Sequence, residues 1–196
     1  MVELERFEAS DRSALRAWLA ENGRTSAGVW IVYVKGGDRS LGYDDIVEEA
    51  LCAGWVDSLP RRLDERHAML RLSPRSPRSR WSRRNKERIA SLRERGLMTA
   101  AGEAVVAAAV ASGTWTALDE VEDLTEPSEL GSALDADRLA RANWDAFPRS
   151  ARRAILEWLL SAKTADTRDR RVRTIVSEAH ENRRANQWRQ PGSSRS

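Results

Sequence analysis

The chain has 196 residues, 41% hydrophobic and 32% charged, which excludes a disordered protein and fits one domain or two small lobes sharing a core. No apolar run approaches the roughly 18 residues of a membrane helix, and a single cysteine, Cys52, excludes an internal disulfide framework. The net charge of +3 hides a block pattern: −5 over residues 1–60, +9 over 61–95, −8 over 96–147 and +7 over 148–196.

The opening MVELERFEASDRS is acidic and polar, without the basic and apolar regions of a secretory signal, so a cytoplasmic location is expected. A helix is predicted over Asp11 to Glu21, with Ser10 as N-cap and Leu15, Trp18 and Leu19 on its buried stripe. The β-branched and aromatic run VWIVYVK (Val29 to Lys35) predicts a buried strand. After the GGDRS loop, Asp44 caps a helix through about Ala53, with Gly54 past its end. Two extended segments, Trp55 to Leu63 and Glu65 to Leu72, form a hairpin around Asp64. Ala68, Leu70 and Leu72 face one side of it, and His67, Met69 and Arg71 the other.

From Ser82 onward the periodicity turns helical. Ser82 caps a helix through Arg95 that Gly96 ends, and Thr99 starts an Ala/Val-rich helix stopping near Ser112 and Gly113. A loop carries Trp115 and the acidic DEVEDL, followed by a helix holding Leu134 and Leu139. Pro148 opens a helix through about Ala162, with Ala151, Ile155, Trp158, Leu159 and Ala162 on one stripe. The last helix, Asp166 to Arg184, buries Val172, Ile175, Val176 and Ala179. The fold class is therefore α+β. A small sheet with flanking helices and a basic loop is expected over residues 1–95, and a helical lobe packed on it over 96–188. A disordered tail is expected over 189–196, with no internal repeat.

Several segments taken in order carry a resemblance: LGYDDIVEEALCAGWVDSLPRRLD, RLSPRSPRSRWSRRNKERI, GLMTAAG, WDAFPRSARRAILEWLLSAK and TRDRRVRTIV. Together, from about Leu41 to Val176, the chain resembles the YdeI/OmpD-associated family, also described as bacteriocin-protection proteins. The resemblance implies a role in bacterial tolerance of cationic antimicrobial peptides and envelope stress, with no established enzymatic reaction. Some members of that family are described as periplasmic, whereas the expectation for this chain, from its opening segment, is the cytoplasm.

Three clusters invite a chemical reading. The loop SPRSPRSRWSRRNK (Ser73 to Lys86) joins Arg75, Arg78, Arg83 and Arg84 to Trp81, as a surface that tracks a nucleic-acid backbone and stacks on bases would. The same arginines suit an anionic ligand or an acidic protein partner, and equally internal pairing with the acidic block 119–129 or stacking on Trp. Second, Tyr43, Asp57 and Arg61 lie near a helix bearing Asp44, Asp45, Glu48 and Glu49, so a polar pocket between helix and hairpin is conceivable on spacing. Asp44 and Asp45 equally serve as helix cap and dipole partner. Third, Cys52 near a helix C-terminus reads as inert packing, and Asp57 and Ser58 alternate across a strand, which argues against a Ser58–His67–Asp57 triad. Two histidines and one cysteine lack metal-site spacing, and no Gly-rich phosphate loop occurs, so no metal and no cofactor is expected.

The leading expectation is a non-enzymatic tolerance protein that binds an anionic ligand or partner through residues 61–86. The alternatives are a nucleic-acid-binding protein using residues 73–86 and an enzyme built on the Tyr43–Asp57–Arg61 pocket.

Overall fold

The computed structural model describes residues 4–36 and 40–187. The expected tail over 189–196 and part of the GGDRS loop lie outside the described residues. The chain divides into two compact units, residues 1–117 and 118–196.

In the first unit the order is β1 (Arg6–Glu8), α1 (Arg12–Asn22), β2 (Val29–Val34), α2 (Tyr43–Cys52), β3 (Trp55–Arg62), β4 (His67–Pro74), α3 (Arg83–Glu94) and α4 (Ala100–Ala111). The sheet order is β1-β2-β4-β3, with β1 parallel to β2 and the other neighbours antiparallel. Alternation along VWIVYV turns Val29 and Ile31 inward, in register with Leu72 and Leu70. Leu15, Trp18 and Leu19 of α1, with Ile46, Val47, Ala50 and Leu51 of α2, close on that face. Burying so many aliphatic and indole groups, each contributing about 1.5–3 kcal/mol, holds the unit together.

The hairpin turns at Asp64, whose Oδ1 accepts from the backbone N–H of Arg66 and of His67, both at 2.7 Å. Those bonds and the His67 ring hold the Asp64 carboxyl down at about 2, the ring being the largest influence. Strand β3 is an edge strand, which is where Pro60, lacking an N–H, can sit. The chain also bulges there: Asp57 pairs with Leu72, but Pro60 pairs with Leu70.

Helix α4 seals the exit of α2. Thr99 donates its hydroxyl to the Cys52 carbonyl at 2.6 Å, and the Thr99 N–H donates to the same oxygen at 3.2 Å. The approach is so close that a Cβ on Gly102 would lie 2.3 Å from that oxygen, and one on Gly54 (φ +76°) would lie 2.8 Å from Val105.

The second unit is helical: α5 (Asp119–Glu122), α6 (Ser128–Asp135), α7 (Arg138–Ala146), α8 (Arg149–Leu160) and α9 (Ala165–His180). Helix α9 packs against α6, α7 and α8. Leu130, Leu134, Trp144, Ile155, Leu159, Val172 and Ile175 form the centre of its core.

The α+β class, the three predicted strands and the Ser82 and Thr99 caps stand as expected. Several details differ. Strand β1 was not foreseen. Asp11, not Ser10, caps α1 by accepting from the Ala14 N–H at 2.8 Å. Gly42 occupies the N-cap of α2, and Asp45 reaches back to its N–H at 2.7 Å, displacing Asp44 from that role. Met69, expected opposite the core, is nonetheless buried beside its cross-strand partner Arg61. Leu134 and Leu139 belong to different helices, because Asp137 caps a new one between them, and Leu139 is 51% exposed. In α8 it is Leu156 that joins the core while Trp158 is half-buried, and α9 ends at His180, short of Arg184.

Candidate functional site

Four of the residues singled out by sequence converge on an inner seam of the first unit. Tyr43, the first residue of α2, donates its hydroxyl to Asp57 Oδ2 on β3 at 2.8 Å. Burial, aided by the Asp57 carboxylate, pushes the Tyr43 phenol up to about 12. Arg75 follows β4, held by its N–H on the Gly54 carbonyl at 3.1 Å. The residue is only 8% exposed, and its guanidinium lies 3.7 Å from the centre of the Trp81 ring, with Nη2 donating to the Arg80 carbonyl at 2.6 Å. Burial pulls it down to about 10, against the opposing charge of Asp57. Trp81 is 1% exposed and packs on Trp115 with ring centroids 5.0 Å apart. Arg75 Nε and Nη1 and Trp81 Nε1 are buried without an acceptor among the described residues.

The remaining predicted residues lie elsewhere. Arg84 pairs with Asp44 Oδ1 at 3.1 Å, and Arg88 reaches the same oxygen. Arg83 is exposed in the first turn of α3, and Arg78 is exposed in the preceding loop. Arg61 does not join Tyr43 and Asp57. Without a bulge, residues 57 and 61 would share a face of β3. The extra residue between Asp57 and Pro60 reverses the alternation, and Arg61 comes into register with Met69 on the opposite face.

On that outer face Arg61 stacks over Trp30, 4.8 Å from the ring centre. Register places Arg6 on β1 and Arg71 on β4 directly beside Trp30, one on each side. Arg6, Arg61 and Arg71 are exposed, Trp30 is half-buried, and none of the three arginines meets a carboxylate among the described residues. Glu8, one row further along in register with Val32, is the acid on this face of β1. Arg6 and Trp30 were not singled out by sequence; the signal was the two-residue period of a strand, which turns Trp30 away from Val29 and Ile31.

The acids of α2 take other partners than Arg61. Glu49, 1% exposed, accepts from Arg12 Nε at 2.8 Å and from Arg16 Nε and Nη2 at 2.8 and 2.9 Å. Arg12 also meets Glu48 at 2.8 Å and Asp45 at 3.1 Å, while Arg95 reaches Glu48 at 3.1 Å. Burial disfavours the Arg12 charge, but Glu49 and Glu48 outweigh it and hold the guanidinium above its ordinary value. This clasp joins α1, α2 and the end of α3. Burial, with Glu49 close by, pushes the Cys52 thiol up to about 11, so it is a poor nucleophile at neutral pH. Among the described residues Ser58 bonds the Arg71 carbonyl, at 3.5 Å, and His67 is taken by Asp64 at 2.8 Å, so these residues do not assemble a triad. No cluster of three metal-ligating side chains occurs among the described residues.

In the second unit the acidic block is paired locally: Glu122 with Arg153, Glu126 with Arg141 and Glu129 with Arg168. No helix among the described residues is long and apolar enough to cross a membrane.

Two family models match. Residues 7–105 match the family described as Domain of unknown function (DUF8412). Residues 123–182 match the family described as Bacteriocin-protection, YdeI or OmpD-Associated. The resemblance expected from Leu41 to Val176 is thus carried by its last two segments, WDAFPRSARRAILEWLLSAK and TRDRRVRTIV, which lie inside residues 123–182. No curated protein and no solved structure matches the chain.

Proposed function

The chain belongs to the family described as Domain of unknown function (DUF8412), and we propose that it is a non-enzymatic bacterial tolerance protein that binds an anionic ligand or partner. The protection in question is against bacteriocins or cationic antimicrobial peptides, in keeping with the bacteriocin-protection match over residues 123–182. The cytoplasm is its compartment in this reading.

One observation carries the proposal. In the first unit Arg12, Arg16, Arg84, Arg88, Arg93 and Arg95 all meet carboxylates, whereas Arg6, Arg61 and Arg71 crowd around one tryptophan with no such partner among the described residues. Charges left uncompensated side by side repel one another, and an incoming anion relieves that repulsion. The loop 73–86 contributes less than its composition suggests. Trp81 is buried, Arg75 points inward and Arg84 is paired, so this loop has no exposed ring to stack on bases.

The test is the growth-inhibitory concentration of a cationic peptide for a sensitive bacterial host expressing the chain or its Arg6→Ala/Arg61→Ala/Arg71→Ala variant. Raised tolerance with the wild type, and its loss in a variant of equal abundance, is the expected outcome. Equal tolerance in empty and expressing hosts removes the protective role, and equal protection by the variant removes this face from it.

A further inference from the structure

We infer that the outer face of the first unit's sheet is a docking surface for single-stranded nucleic acid, with a base stacking at Trp30 and phosphates held by Arg6, Arg61 and Arg71. This rests on the anion-binding reading above and names the chemical class of its ligand.

The argument begins with the row across the sheet. Arg6, Trp30 and Arg71 are direct register partners on β1, β2 and β4, and adjacent strands lie about 4.8 Å apart. An indole is thereby flanked on both sides, within about 5 Å of backbone spacing, by guanidinium groups. The fourth group, Arg61, comes from β3 and already lies over the ring at 4.8 Å. A planar cation on an indole face occupies the position a nucleobase takes, and guanidinium also stacks on bases and pairs with phosphate through a fork of donors.

The aromatic group decides among anions. A carboxylate-rich peptide would use the three arginines but gain nothing from Trp30. A duplex presents stacked bases that an indole on a sheet cannot reach. A single strand offers both elements, unstacked bases and a regular row of phosphates, and sheets with exposed aromatic side chains are a recurrent platform for it. Glu8, one row away on the same face, sets a limit: it opposes a strand running toward the far end of β1 and favours a path across Arg6, Trp30 and Arg71.

The experiment is fluorescence anisotropy of a labelled 12-nucleotide single strand, as RNA and as DNA, at low and near-physiological salt. The same sequence as a duplex and polyglutamate serve as competitors. The variants are Trp30→Ala, Trp30→Phe and the Arg6/Arg61/Arg71 triple alanine, each checked for an unchanged thermal midpoint; Trp30→Phe keeps a ring in place should Trp30→Ala unfold. The single strand is expected to bind and to resist both competitors. Trp30→Ala, or failing that comparison between Trp30→Phe and the triple variant, should separate stacking from charge: removing the ring weakens binding about 5- to 100-fold while phenylalanine retains most of it. The triple variant should flatten the salt dependence by about three phosphate contacts. If polyglutamate competes as well as the strand and Trp30 variants bind like wild type, the nucleic-acid inference is overturned while the anion-binding reading stands. If no polyanion binds, both fall.

Discussion

Arg16 meets the buried Glu49 carboxylate side-on, through Nε at 2.8 Å and Nη2 at 2.9 Å. With Arg12 Nε sharing Oε1 with Arg16 Nη2, the carboxylate is enclosed by two cations whose own outer edges reach water. The asymmetry predicts the mutational pattern. Replacing both arginines by alanine strands a charge that is 1% exposed, and should cost about 3–5 kcal/mol. Glu49→Leu leaves two arginines able to turn toward solvent, and should cost under about 2 kcal/mol. Urea unfolding followed by circular dichroism measures both; a larger loss for Glu49→Leu than for the double variant would refute this account of the clasp.

Much of this fold is written locally. VWIVYV fixes a strand by composition and its faces by alternation, and Ser82 and Thr99 announce their helices through side-chain oxygens that satisfy N-terminal N–H groups. What escaped is non-local or depends on a single inserted residue. The three residues of β1 are a strand only because β2 lies beside them. The bulge before Pro60 moves Arg61 to the other face, and nothing in WVDSLPRR signals where an extra residue will be absorbed. Arg12 and Arg16 find Glu49 across more than thirty residues of chain. Trp81, embedded among arginines and serines, looks like a surface aromatic, yet it is a core residue capped by Arg75. The outer cluster at Trp30 was half legible: Arg71 was placed on the correct side, while Arg6 required the register of β1.

The inner seam separates packing from charge. Trp81→Ala empties a buried indole site against Trp115 and should cost about 3–5 kcal/mol. Arg75→Met keeps the stem that covers the ring and removes a buried cation with two donors lacking an acceptor, so stability should stay level or rise. Arg78→Ala, at an exposed position, should change stability by no more than about 0.5 kcal/mol. Thermal or urea unfolding of the three variants decides, and a large loss in Arg75→Met would mean that the unfilled donors have a partner that holds the loop.

Gly102→Ala sets two effects against each other. In an ordinary helix interior the added methyl stabilises by about 1 kcal/mol. Here it would sit 2.3 Å from the backbone oxygen of Cys52 and 2.9 Å from its carbonyl carbon, neither of which can swing aside. The clash should win, with a net loss of roughly 3 kcal/mol, the upper end of overpacking costs. It should also break the Thr99 hydroxyl bond to the same carbonyl, so hydrogen exchange at the end of α2 and the start of α4 should accelerate together. Stabilisation by this substitution would mean that α4 does not hold to α2 as closely as the glycine implies.

Glu126 gives the second unit a pH dependence whose cause is visible in its donors. Its carboxylate accepts from Arg141 Nη1 and Nη2 at 3.0 and 2.9 Å and from Trp144 Nε1 at 2.7 Å. Burial pushes the carboxyl up, but the Arg141 and Trp144 donors outweigh it and leave it below its ordinary value of 4.5. A carboxyl held lower in the folded state than in the unfolded one contributes stability that is complete above the ordinary value and disappears as pH falls through the depressed one. Glu126→Gln keeps an acceptor for the buried Trp144 but cannot gain a proton or hold Arg141 by charge. It should lower stability at pH 7 by about 1–3 kcal/mol and flatten the acid limb below pH 4.5. Unfolding midpoints from pH 7 to pH 2 for both proteins provide the check. Curves that fall in parallel would place the acid sensitivity of this unit on other carboxylates, such as Glu129 beside Arg168.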